Sequence, residues 1–245
     1  MHRIVVIFIL CFFLVSPAVA AQEEFVIGIP CINSKNCKIP VLENILKEAY
    51  SRSGIVVTFK YLPMLRELAE ANSGATDGSA ARTPIAITDY PNLIQVPVPM
   101  VNHSHCAVTT KPGFKVESWE DLQQYVVGVQ RGSLSIKIEA EQTGSQVYLF
   151  NSLSGAFNMI GAGRLDLIVM DATMASIMAQ ALGLETIYIS EPLSTTHSYH
   201  TLNRKHEDLV PKLAKAFREM LEDGTTKRLL GKYEAMLPEL PEPSK

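Results

Sequence analysis

Along this chain, short runs of β-branched and aromatic residues alternate with stretches in which apolar positions recur at helical spacing, a pattern that predicts a βαβ succession. Phe25-Val26-Ile27-Gly28-Ile29 reads as a buried strand, and Val41, Leu42, Ile45, Leu46 and Ala49 share one face of the helix that follows. Ile55 to Tyr61 forms the next strand. Leu62, Leu65, Leu68 and Ala69 then repeat at helical spacing up to Asn72-Ser73-Gly74, which stops the helix. The strand expected after Asp77 is poor, because Gly78-Ser79-Ala80-Ala81 lacks large apolar residues. Small side chains and backbone there are expected to face a ligand rather than a core.

After the proline-spaced segment Gln95-Val96-Pro97-Val98-Pro99 the pattern predicts a second unit. Trp119 to Leu122 reads as a helical turn, Val126 to Val129 as a strand, and Gly132-Ser133 as the opening of a helix that bears Ile136. Gln146 to Phe150 is another strand. Ala156, Phe157 and Ile160 lie on a helix ending at Gly161-Ala162-Gly163, and Leu165 to Met170 is the most apolar strand of all. Asp171 marks its edge, from which a helix over Ala172 to Leu182 departs, and Thr186 to Ser190 closes the unit. Leu209, Leu213, Phe217, Met220 and Leu221 make an amphipathic helix, Asp223-Gly224-Thr225 ends it and starts another, and a proline-rich tail follows. These last helices are too little for a third domain and are expected to pack back on the first unit.

One short signature occurs twice, Gly74-Ala75-Thr76-Asp77 and Gly163-Arg164-Leu165-Asp166, each after a helical stretch. Glycine suits the left-handed turn that ends a helix, and the aspartate marks where the chain leaves that turn. The signature is either loop punctuation or the sign of two lobes built alike. In the second case the fold is α/β, two Rossmann-like lobes with a mostly parallel sheet in each, joined by a hinge of two crossings. The expected lobes are residues 22–104 with 194–245, and residues 105–193. Ligands of open α/β sheets bind beside the carboxyl ends of the strands.

Residues 1–20 read as a cleavable secretory signal, with Arg3 at a basic start, an apolar run from Ile4 to Val15, Pro17, and Ala18-Val19-Ala20 as the cleavage site. The run is shorter than the roughly 20 residues that span a bilayer. The expectation is therefore a soluble exported protein. The whole chain has 22 basic and 25 acidic side chains, so loss of Arg3 with the leader leaves a formal charge of −4 on the 225 residues that remain. With no basic stripe to meet phosphates, nucleic acid is not an expected partner.

Three cysteines remain after cleavage. In an oxidising compartment Cys31 and Cys37 either bridge, rigidifying the loop after the first strand, or stay as partly buried thiols. Cys106 then packs as a small apolar residue. His103 and His105 alternate on an extended segment and so point the same way, but no third ligand is identifiable and no metal or cofactor is expected.

The order of Val26-Ile27-Gly28-Ile29, Gly74-x-x-Asp77, Ser118-Trp119-Glu120-Asp121-Leu122, Val127-Gly128-Val129-Gln130-x-Gly132-Ser133, Gly163 to Asp171 and Glu222-Asp223-Gly224-Thr225 resembles the amino-acid type (family 3) of bacterial periplasmic solute-binding proteins. The resemblance spans nearly the whole chain after the signal. It implies a type II periplasmic binding fold, a clamshell that closes on a small amino-acid-like or carboxylate solute and delivers it to an inner-membrane ABC permease. It also implies a periplasmic location and a monomer.

Carried over residue by residue, the resemblance gives Asp171 the ligand's ammonium group, although an aspartate there serves equally as a helix cap. Gly132-Ser133 takes the turn that receives the ligand carboxylate, with Leu134 where a hydroxyl is usual. The arginine that clamps the carboxylate is displaced: its usual position is Asp89, and Arg82 or Arg66 stands in its place. The aromatic residue of the first-strand loop is absent, and Tyr61 is the nearest substitute.

Some relatives of that family resemble dehydratases. Glu120, Asp171 and His197 are the acid–base candidates for such an activity, but none forms a nucleophile–base pair. A sensor protein is the other alternative to a permease as the reader of ligand occupancy.

Overall fold

The computed structural model describes residues 24–31 and 40–239. The secretory signal and the Cys31–Cys37 bridge expected above lie outside the described residues. Among the described residues no helix is long and apolar enough to cross a membrane.

The first half runs β1 (Phe25–Cys31), α1 (Pro40–Arg52), β2 (Val57–Pro63), α2 (Met64–Ser73) and β3 (Gly78–Arg82). β1 lies between β2 and β3 and is parallel to both, as right-handed βαβ units require. A long strand, β4 (Leu93–Thr109), then carries the chain into the second half. There β5 (Val126–Gln130), α3 (Leu134–Gln142), β6 (Gln146–Phe150), α4 (Leu153–Gly161), β7 (Leu167–Asp171) and α5 (Ala172–Leu182) repeat the scheme, with β5 parallel to β6 and β7. After a short β8 (Tyr188–Ile189), β9 (Ser194–Asn203) returns to the first half, and α6 (Val210–Glu222) and α7 (Thr225–Leu230) close the chain.

β4 and β9 pair antiparallel from Leu93–Asn203 to His105–Ser194, with the register shifting around Pro99. They join the two parallel sheets into one continuous order, β2-β1-β3-β9-β4-β7-β5-β6. These two strands are the two crossings. Pro97 and Pro99 cannot donate to a ladder, which is why the pairing breaks there.

Each half has its own apolar core. In the first, Ile27 and Ile29 of β1 pack with Ile45, Leu46 and Tyr50 of α1 and with Leu213, Phe217 and Met220 of α6. The last helices thus return to the first half. In the second half the sheet is covered on both faces. Phe157, Ile160 and Ala175 from α4 and α5 lie against Val108 and Ile168. Val116, Leu122 and Ile136 lie against Val127, Val129 and Val169.

Two elements depart from the pattern read in the sequence. β3 is buried along its whole length. Its small residues are there mainly because the sheet is tight: a Cβ on Gly78 would lie 2.3 Å from the Thr201 carbonyl oxygen of β9. Only its end, Ala81 and Arg82, reaches a cavity. β9 carries no apolar alternation, yet Ser198, His200 and Thr201 are buried. Hydrogen bonds compensate that burial. His200 Nδ1–H donates to the Ser79 carbonyl at 2.9 Å, and its Nε2 accepts from the Tyr50 hydroxyl at 2.8 Å. Full burial pushes the imidazole down to about 4, so it is neutral.

Candidate functional site

A cavity of about 150 Å³ lies where the two halves face each other across the hinge strands. The first half contributes Pro30, Met64 and Arg82; β4 contributes His103 and His105; the second half contributes Gln130, Gly132-Ser133, Met170, Asp171 and Met174. The position follows from topology: β1, β3, β5 and β7 all present their carboxyl ends to it. Four of the residues singled out from the sequence, Arg82, Gly132, Ser133 and Asp171, are brought together in its wall.

Tyr61 and Arg66 do not line the cavity. Tyr61 donates its hydroxyl to Glu43, away from the cleft, and packs against the first core. Arg66 points outward, with its side chain 67% exposed, and forms an i,i+4 pair with Glu70 at 2.8 Å. The substitution of either for a displaced family residue is therefore not supported by their positions. Of the three acid–base candidates only Asp171 reaches the cavity. Glu120 is exposed, and His197 hydrogen-bonds Asn102 at 2.5 Å between the hinge strands.

Arg82, at the end of β3, is 5% exposed and does not stand free. Its Nε donates to Glu67 Oε2 at 3.1 Å and to Ser79 Oγ at 3.2 Å, and its Nη2 donates to Glu67 and to the Met64 carbonyl. Glu67, on α2, is fully buried, and its Oε1 has no hydrogen-bond partner. A buried ion pair of this kind stands or falls as a unit, because removing either partner leaves an uncompensated charge out of water. Gly28 makes room for it: a Cβ there would meet Glu67 Cγ and Oε1 at 2.8 Å.

Asp171 ends β7 and caps α5. Its Oδ1 accepts the Met174 N–H at 2.8 Å, and its Oδ2 accepts the Ser104 N–H at 3.1 Å and His103 Nδ1–H at 3.3 Å. Such a cap stabilises by about 1 kcal/mol. Burial alone would raise its pKa, but the hydrogen bond and charge of His103, with the two amides, outweigh that and hold the carboxyl below the usual range.

His105 neighbours that pair on the same face of β4. Burial, with the neighbouring His103, pushes it down to about 4, so it is neutral. Its Nδ1 lies 3.3 Å from Ser194 Oγ, and that hydroxyl gives its proton to Glu139 at 3.1 Å. Cys106 points away into burial, a free thiol pushed up to about 11. Among the described residues no three histidine, cysteine, aspartate or glutamate side chains are placed to hold a metal ion.

At the turn before α3, Gly132 adopts φ +100° and Ser133 makes no side-chain cap. The space above the turn is filled by Met64 from the opposite half. Its Cβ, Cγ and Sδ lie 3.1 Å from where a Gly132 Cβ would be, and its sulfur is 3.9 Å from Ser133 Oγ.

No family model matches the chain. One curated relative, an uncharacterized protein of Shewanella oneidensis, is 24% identical over 195 residues, covering 76% of this chain and 73% of that one. Among solved structures, a histidine kinase sensor domain described as similar to periplasmic binding proteins superposes with a TM-score of 0.76 at 14% identity, covering 89% of this chain and 99% of that one. An ancestral arginine-binding protein bound to arginine gives 0.69 at 22%, covering 86% and 97%. The substrate-binding protein of an amino-acid ABC transporter gives 0.67 at 16%, covering 86% and 98%. The chain has the type II periplasmic-binding-protein fold.

Within this binding-protein fold, the residues that sequence reasoning missed are Glu67 and Met64. Glu67 sits in an amphipathic helix as Arg66-Glu67 and reads as a solvated charge. The available signal was its partner: a glutamate 15 positions before an arginine, across a strand of small residues and opposite a glycine in β1. Met64 begins α2 and reads as ordinary core, and nothing in its spacing shows that it crosses to the second half.

Proposed function

We propose that this protein is a solute-binding protein whose two lobes, residues 22–104 with 194–245 and residues 105–193, close on a small solute. The observation that carries this reading is the cavity at the hinge, walled by Arg82 from one side and by Ser133 and Asp171 from the other. A site split in this way is complete only in the closed form, so a ligand that touches both walls shifts the population toward closure. The leader-like first 20 residues support a periplasmic location, and the amino-acid ABC transporter protein among the similar structures supports an inner-membrane importer as partner. In this role the protein performs no reaction.

The similar histidine kinase sensor domain favours a second reading of the same closure, in which a signalling partner detects it. The first experiment is common to both. Thermal unfolding of the mature protein in a broad panel of metabolites is expected to give a concentration-dependent rise in Tm for at least one compound class. A folded protein whose Tm moves with no compound would remove the reading. Pull-down of an ABC permease or of a membrane sensor with the liganded protein then separates the two partners.

A further inference from the structure

We infer that the cleft takes a small amine that carries no free carboxylate. This rests on the solute-binding reading above and sharpens its ligand.

Both places at which the family resemblance would put a ligand carboxylate are occupied from within. The Arg82 guanidinium already has a carboxylate, that of fully buried Glu67, and donates further to Ser79 Oγ and the Met64 carbonyl. Among the described residues only Nη1 is left without a protein partner. That suffices for a hydrogen bond to an uncharged oxygen, but the pair has no net charge with which to balance a second anion. A ligand carboxylate drawn to it would lie close to the buried Glu67 carboxylate, and like charges out of water repel strongly. The other place, the N-terminal turn of α3, holds the Met64 thioether against Gly132 and Ser133.

Beside the hydroxyls and the Gln130 amide of the wall, the Asp171 carboxylate and the His105 ring offer acceptors. His103 Nδ1 faces a carboxylate that can only accept, so it donates there. Ser194 gives its single proton to Glu139, so it must accept from His105 Nδ1, and neutral His105 keeps a lone pair on Nε2. That Nε2 has no hydrogen-bond partner among the described residues. Both imidazoles line the cavity beside the Asp171 carboxylate. An alkylammonium, with three donors, no acceptor and a single positive charge, is the complement of the Asp171 carboxylate and of His105 Nε2. Met64, Met170, Met174, Leu134 and Ile136 offer an apolar wall for its body. A cavity of about 150 Å³ is the size that holds benzene, so six or so non-hydrogen atoms fit.

Titration calorimetry on the mature protein with matched compounds tests this. The probes are isoamylamine, leucine and 4-methylpentanoate, together with isobutylamine and valine. The amines are expected to bind at least tenfold more tightly than their parent amino acids, and 4-methylpentanoate not at all. In Met64→Ala, which opens the α3 turn, the gap between isoamylamine and leucine is expected to narrow. Amino acids that bind wild-type protein as tightly as the amines would overturn the inference and leave the solute-binding reading standing. Binding of neither class would overturn it too, and the metabolite panel then decides the solute-binding reading separately.

Discussion

The carboxylate of Asp77 accepts the backbone N–H of Val26 at 2.8 Å, and the Asp77 N–H donates to the Val26 carbonyl at 2.7 Å. Asp166 does the same to Val126, at 2.8 and 3.0 Å. In both motifs the glycine is left-handed, with φ 80° at Gly74 and 70° at Gly163. In both, the two residues after it return to one carbonyl of the preceding helix, that of Glu70 or that of Met159. The repeated Gly-x-x-Asp is therefore a clip that fixes the end of a helix to the start of the first strand of its half. It anchors the starts of β1 and β5, at the end of each strand away from the cleft.

The two clips are not equally loaded. Asp77 also meets Lys205 at 2.8 Å and His206 at 2.7 Å, and its side chain is 15% exposed, whereas that of Asp166 is 40% exposed. Asp77→Ala is expected to destabilise by about 2–3 kcal/mol and Asp166→Ala by about 1 kcal/mol. Urea unfolding of both variants gives the comparison, and equal losses would contradict the difference in loading.

Gly28 and Glu67 are coupled by contact. Glu67→Ala leaves Arg82 buried without its carboxylate and is expected to cost about 3–5 kcal/mol. Gly28→Ala forces a methyl against the Glu67 side chain and is expected to cost about 1–3 kcal/mol in the wild-type chain. In a Glu67→Ala background that cost should largely vanish. A double-mutant cycle measures it, and additive losses would show that the glycine has another purpose.

Acid should weaken the protein before its carboxylates titrate. His200 is held neutral down to about 4, against 6.5 for the ordinary side chain. Between those two values the unfolded chain binds a proton that the folded chain refuses, so stability is full above 6.5 and falls as the pH drops toward 4. The loss from this residue is on the order of 3 kcal/mol. Buried His105 adds in the same direction. Denaturation midpoints at pH 7.5 and 4.5 check this, and a flat profile in that window would contradict the burial of neutral His200.

Much of this was legible in the sequence where apolar period carried the information. The order β1-α1-β2-α2 and the span Ala172–Leu182 follow directly from spacing. β9 was not legible, because its buried residues are polar and satisfied by partners such as Tyr50 and Ser79, remote in the chain. The short side chains of β3 suggest exposure to a ligand, whereas close approach of the β9 backbone at Gly78 accounts for most of them. At the candidate site, Arg82, Ser133 and Asp171 were legible as types. What had already satisfied Arg82 and filled the turn at Ser133 was not, because Glu67 and Met64 act across the sheet and across the cleft.

The proposed closure of the two halves over the hinge cavity binds a small molecule. Its most direct test is to unfold the mature protein purified from its native host, dialyse away what it carried, refold it, and record Tm before and after returning the dialysed small-molecule fraction. Tm is expected to fall on stripping, to be restored by that fraction, and to be restored much less in Asp171→Ala. A stripped protein with an unchanged Tm, which the returned fraction and the metabolite panel both fail to move, would contradict it.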